Sequence, residues 1–283
     1  MSIAVHPKNL VNKSFSLNYL YLHLSNLRYN SRLSASFPLQ MEEELEGINK
    51  GDRLTPQDVL KDWSLWQLLD SILPTGGFAH SLGLEAAMQT CIVNSSEDLH
   101  TFLIHVLENT GSLLLPFVHA TAVSPDIKTW HKLDRMLETM LSNEVARKAS
   151  TAQGSALLRI AAAMFITELP SLKTMREESL GTRVCFHHAP IFGLVCGLLG
   201  LDPWTSQRAY MFVTLRDVIS AATRLNLIGP QGAAVLQHRV TSTAEEILEK
   251  WKDRDVEDAC QTTPLIDAVH GCHSYLFSRM FCS

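Results

Sequence analysis

The sequence carries no G-x-x-x-x-G-K-[ST] phosphate loop, no G-x-S-x-G elbow, no H-E-x-x-H helix and no G-x-G-x-x-G turn. The familiar signatures of nucleotide hydrolysis, serine hydrolysis, zinc proteolysis and dinucleotide binding are therefore missing. Positive charge is short as well: 24 Lys and Arg stand against 29 Asp and Glu, a net charge of −5. No global field draws in phosphate backbones, and nucleic acid is not an expected partner. Runs of alternating β-branched residues are absent, which argues against a sheet, and no repeat of fixed period suggests a solenoid. The longest uninterrupted apolar run, residues 189–201, is too short to span a bilayer, so no membrane association is expected. None of the six cysteines forms a C-x-x-C pair, which fits a reducing, cytoplasmic compartment.

What remains is 46% apolar and 19% charged, a composition that excludes a disordered chain. Charge is unevenly placed. Residues 1–40 hold Lys8, Lys13, Arg28 and Arg32 and no acid, leaving 20 bases against 29 acids in the rest. Seven Ser and five Asn in this leader resemble an organelle transit segment, whereas Met41, followed by Glu42, Glu43 and Glu44, offers an internal start. Residues 1–54 are read as disordered or as an extension, organelle targeting by residues 1–40 is not favoured, and residues 55–283 are read as one helical domain.

Helix start signals recur along that domain. Thr55, Pro56 and Asp58 supply an N-cap, a first-turn proline and an acid at N3, and Leu65, Leu68, Leu69 and Ile72 follow as one stripe. Residues 73–78 break the pattern with Pro74, Gly76 and Gly77, and a short helix is expected to resume near Ala79 and run to Gln89. Ser96 starts another that continues toward Leu115 with a kink at Pro116, and Ser124, Pro125 and Asp126 start one ending near Ser142. Residues 143–166, dense in Ala, Ser and Gly, form the expected central helix, since small side chains admit close neighbours. Pro170, Pro190 and Pro203 sit in first turns, Met211 to Leu225 show helical spacing, and a last long helix covers about residues 231–250. The fold class predicted is all-α, a single domain of about 9–11 helices.

Two features carry candidate chemistry. Residues 74–85 form the densest unusual stretch, readable as a rigid recognition loop or as a tight interhelical turn with a buried Phe78 and a core His80. Cys185, His187 and His188 cluster at one break and His270, Cys272 and His273 near the end; the donors suit Zn, Ni or Cu, so a metal-binding helical enzyme or metallochaperone is the alternative reading. Neither cluster has paired finger spacing, and no catalytic, cofactor or metal residue is assigned.

The stretch from Leu73 to Glu85 resembles the signature loop of the urease accessory protein F family. The similarity continues through Glu144 to Ser150, Gln153 to Arg159, His188 to Gly193, Asn226 to Gly229 and Tyr275 to Phe281, with the flavour of the plant branch. Bacterial members read Ala and Ser where this chain has Gly77 and Ala79, and often carry an acid where Ser274 follows His273. The resemblance implies an all-helical, non-enzymatic homodimer that joins accessory protein D (H in some organisms) to the accessory GTPase and regulates nickel insertion into apo-urease. GTP and nickel are then expected on the partners, with no cofactor bound directly. On this reading Pro74, Gly76, Gly77, Phe78, His80 and Glu85, with Glu144, Arg147, Lys148 and Arg159, shape or support the GTPase-facing surface; the alternative for the charges is a solvated Glu144–Lys148 helix pair and a structural Arg159. Tyr275, Phe277, Arg279 and Phe281 combine aromatic anchors with an arginine, readable as a tail that meets protein D or as a last helix packed on its own core.

Overall fold

A computed structural model describes residues 55–283, and every regular element among them is helical. The expected extension over residues 1–54, with the start at Met41, lies outside the described residues.

Helix α1, Pro56–Leu69, opens at the expected signal. Thr55 Oγ1 accepts the Asp58 amide and Asp58 Oδ2 accepts the Thr55 amide, both at 3.2 Å, a reciprocal capping box that contributes about 1 kcal/mol. The helix stops at Leu69 because Asp70 Oδ1 takes the Ile72 amide at 2.9 Å and turns the chain. Ile72, placed by its spacing on the buried stripe, is therefore exposed beyond the helix end. The next helix also starts later than expected: a 3₁₀ turn, Gly77–Ala79, precedes α2, Leu84–Gln89.

Helix α3, Ser96–Asn109, carries a second capping box between Ser95 and Asp98. It passes through a π turn, Thr110–Leu114, into α4, Leu115–Val123. Pro116 has no N–H for the carbonyl of Ser112 one turn earlier, and the Cys260 amide fills that role at 3.1 Å. The expected kink is thus absorbed by an extra residue per turn. The whole run, Ser96–Val123, is long and apolar enough to cross a membrane by composition, but 67% of its most apolar window is buried inside the protein.

The rest follow as α5, Ile127–Met140; α6, Glu144–Met164; α7, Pro170–Ser179; α8, His188–Leu198; α9, Pro203–Arg224; α10, Pro230–Trp251; and α11, Pro264–Cys272. Helix α8 is buried from His188 to Cys196 and packs on α4, α6 and α9. Its glycines bring backbones together: a Cβ on Gly193 would lie 2.2 Å from the Val118 carbonyl oxygen of α4. The small-residue helix α6 makes the close approach expected of it at Gly154, where a Cβ would lie 2.1 Å from the Phe186 carbonyl oxygen. Helix α9 lies against α8 on one side and α10 on another, and also reaches α1, α2 and the Gly77–Ala79 turn.

Candidate functional site

The loop between α1 and α2 is held by two arginines of α9. Arg216 Nη1 donates to the Leu69 carbonyl at the end of α1 at 2.6 Å, its guanidinium bonds Asp217 Oδ1 at 2.8 and 2.9 Å, and it lies 5.1 Å from the Phe78 ring centroid. Arg224 Nη1 donates to the Phe78 carbonyl and its guanidinium stands 4.4 Å from the Phe281 ring. Both loop ends and the last residues of the chain are thus fastened to one helix. Gly76 has φ +82°, the left-handed region, whereas Gly77 is pressed against Asp217, whose Oδ2 would be 2.4 Å from a Cβ there.

The two stretches assigned to separate partners from sequence turn out to be one unit. Glu85 of α2 is buried, and its carboxylate accepts the Met280 amide at 2.6 Å, the Phe281 amide at 3.0 Å and a hydrogen bond with His273 Nε2 at 3.1 Å. Cys282 N–H donates to the Ala79 carbonyl at 2.7 Å, and the Ser81 amide and hydroxyl both donate to the Ser283 carbonyl at 2.6 and 2.8 Å. His80 Nδ1 lies 2.6 Å from Ser283 Oγ. Charge-assisted bonds from a buried carboxylate are among the stronger ones a fold can make, so the tail backbone is anchored within the protein itself. Its side chains then divide. Phe281 is buried under Arg224, while Tyr275 is 88% exposed and Phe277, Arg279 and Met280 face solvent.

Beneath the loop lies a cavity of about 130 Å³. His80, His188, His270, Gln153, Tyr210 and Asp217 contribute polar groups to its wall, and the Nε2 of His270 has no hydrogen-bond partner. Burial is the main force on the titratable groups here. It pushes His188 and His270 down to about 4, helped for His188 by Arg216 and for His270 by His273, and it lowers His80 as well. Burial raises Asp217, with Arg216 pulling the other way. A cavity of this size, with a few polar groups set in a largely apolar wall, has room for ordered water and is small for an organic substrate.

Helix α6 turns Ala146, Ala149, Ser150 and Gln153 toward that cavity and leaves the candidate charges outside. Glu144 and Lys148 form a 2.7 Å pair with side chains 68% and 76% exposed, a solvated i, i+4 contact of little energetic weight. Arg147 lies 3.5 Å from Glu138, and Arg159 is exposed. Among the described residues no hydrogen bond or ion pair joins these four to the loop. The histidine clusters are divided too. His188 faces the cavity while His187 bonds Glu138, and His270 lines the cavity while His273 bonds Glu85.

Sequence reasoning missed Arg216, Arg224 and Glu138, and it missed the exposed face of α1. Trp63 and Trp66 stack edge to face at 5.1 Å beside exposed Leu60, on the side away from the buried Leu68. Arg216 and Arg224 lie eight residues apart on α9, which also carries Arg208 and Asp217, so spacing alone did not single them out.

Residues 93–241 match the family model described as UreF. A protein of Arabidopsis thaliana called urease accessory protein F is 68% identical over 222 residues, covering 78% of this chain and 92% of its own length. One of the same name from Oryza sativa subsp. indica is 67% identical over 222 residues, covering 78% and 85%. A urease accessory protein UreF of Trichodesmium erythraeum is 27% identical over 228 residues, covering 79% and 97%.

Proposed function

The chain belongs to the urease accessory protein F family, and from that premise we propose that it is a non-enzymatic scaffold that joins accessory protein D (H in some organisms) and the accessory GTPase, and so regulates GTP-dependent nickel insertion into apo-urease. Its general role is in urease maturation, as part of an accessory complex. The scaffold acts in the cytoplasm as a homodimer, with GTP and nickel carried by the partners. The observation that supports this reading best is the division of the tail. Glu85 fixes the backbone at Met280 and Phe281, yet Tyr275, Phe277 and Arg279 remain in solvent. Exposed aromatics and an arginine on an anchored backbone are the composition of a binding hot spot, and prior anchoring reduces the ordering cost of association.

The scaffold influences the GTPase through differential affinity, because only a partner that binds one conformation better than another shifts its equilibrium. Pro74, Gly76 and Phe78 and the outer face of α6 shape the GTPase-facing surface, while Gly77, His80 and Glu85 support it from within. Replacing Tyr275 and Phe277 together by Ala should leave the thermal melt unchanged and weaken co-purification with protein D by about thirtyfold or more. Retention of the full complex by that double variant would reject the tail as the contact. Charge reversal at Arg147 and Lys148 that left GTPase recruitment intact would reject the α6 face. Restoration of urease activity by residues 41–283, in cells lacking their own F protein, tests the maturation role itself.

A further inference from the structure

The short segment between α7 and α8 is fixed from several directions. Asp134 of α5, fully buried, accepts the Cys185 amide on Oδ2 and the His187 amide on Oδ1, both at 2.6 Å. Phe186 between them takes the left-handed φ of +65°, and its ring packs on the buried Trp130 at 5.7 Å. From α6, Ser150 Oγ lies 3.1 Å from His187 Nδ1 and accepts the His188 amide at 3.1 Å. A bulky residue in the left-handed region is uncommon and persists where its surroundings enforce it. Here the result is that residues i and i+2 turn their side chains to one place, opposite Glu138 of α5. Glu138 Oε2 is 2.9 Å from His187 Nε2, and one donor atom each from Glu138, Cys185 and His187 lies within 4.8 Å of the other two.

We propose that Glu138, Cys185 and His187 form a three-ligand site for a borderline divalent cation of the zinc class, with the fourth position open to solvent. One carboxylate, one thiolate and one imidazole suit Zn²⁺ and its neighbours Co²⁺ and Ni²⁺ and are poorly matched to Mg²⁺ or Ca²⁺, which prefer oxygen throughout. Two anionic ligands neutralise the ion. Arg147 lies 3.5 Å from Glu138 Oε1 and so leaves Oε2 for the metal. The thiol proton of Cys185 leaves to solvent as the ion enters, while the imidazole keeps a single proton, carried on Nδ1 once Nε2 binds the ion. Ser150 equips the imidazole for either state. Its hydroxyl donates to Nδ1 while Nε2 carries the proton, and its oxygen accepts from Nδ1–H once Nε2 holds the ion. His187 is fully buried, whereas the Glu138 side chain is 35% exposed, so entry is from that side. The expectation that no residue of this chain holds metal considered Cys185 and His187 without the carboxylate that the fold brings from 47 residues before Cys185. The site does not rest on the scaffold role.

Cobalt(II) added to the purified, reduced full chain tests it. One equivalent should bind with a sulfur-to-cobalt charge-transfer band and tetrahedral visible bands, and zinc should displace it. Cys185→Ser, nearly isosteric, should abolish the charge-transfer band with an unchanged circular dichroism spectrum. Glu138→Gln should weaken binding, and Ser150→Ala should weaken it by about tenfold or more. Replacing the four exposed cysteines, Cys91, Cys260, Cys272 and Cys282, should change nothing. Failure of the native chain to bind cobalt, persistence of the band in Cys185→Ser, or its loss with the exposed cysteines would overturn the proposal.

Discussion

Gly76 and Gly77 are adjacent but are glycine for different reasons. Gly76 has a left-handed φ and open space around it, so Gly76→Ala should cost about 1–2 kcal/mol from backbone strain alone. Gly77→Ala drives a methyl group onto Asp217 and disturbs its bonds to Arg216, and Gly154→Ala meets backbone at Phe186 and His187. Each of these should cost about 3 kcal/mol or more, and urea unfolding of the three variants would give that order. The charge at Glu85 admits an equally local test. Gln at this position keeps the shape but presents an amide to neighbours that are N–H donors, so Glu85→Gln should destabilise by about 2 kcal/mol. The change should appear as faster hydrogen exchange at the Met280 and Phe281 amides.

At the scale of elements, start signals were legible because capping is chemistry between residues three apart. Thr55 with Asp58 was found where the sequence places it, the helix expected from residue 143 begins one residue later, and Ser95 and Asp126 cap within two residues of the expected starts. Stops were less legible. Ile72 keeps helical spacing with Leu65 and Leu68, yet α1 has already ended, because an Asx turn at Asp70 competes with the periodicity and spacing alone cannot register it. The π turn before Pro116 was invisible for a related reason: the Cys260 amide that completes the Ser112 carbonyl comes from far along the chain. Gly111 in that turn would place a Cβ 2.6 Å from the Trp251 indole, so Gly111→Ala should loosen α10 from the turn and lower the melting temperature by several degrees.

At the scale of the whole molecule, the buried histidines of the cavity give stability a dependence on pH. His188 and His270 bind protons near 4 in the fold and near 6.5 when unfolded, so between those values the unfolded chain holds more protons. Their contribution is fully present above about 6.5, is lost as pH falls toward 4, and changes no further below, at about 1.4 kcal/mol per pH unit for each histidine. Asp217, raised by burial, acts in the opposite sense between 3.8 and its folded value, where the native state holds the extra proton. Urea titrations at about pH 7 and about pH 5 should show the loss, and His188→Phe should reduce the slope, with His270 and the likewise lowered His80 supplying a remainder.

The sequence by itself determined the all-α class, the helix starts, the family and the residues of the loop and tail, because caps, periodicity and motif order are local properties written in neighbouring positions. Tertiary structure decided how those pieces meet. Only folding brings Glu85 to the Met280 amide across 195 residues, turns the buried His187 to Glu138 and His188 to the cavity, and sets Glu138 beside Cys185. Close packing also chose α8 as the most completely buried helix beside the small-residue helix α6, since which faces are buried depends on the neighbours as well as the pattern. The anchored tail backbone with exposed Tyr275 and Phe277 is likewise a product of the fold, since Glu85 reaches it only in three dimensions.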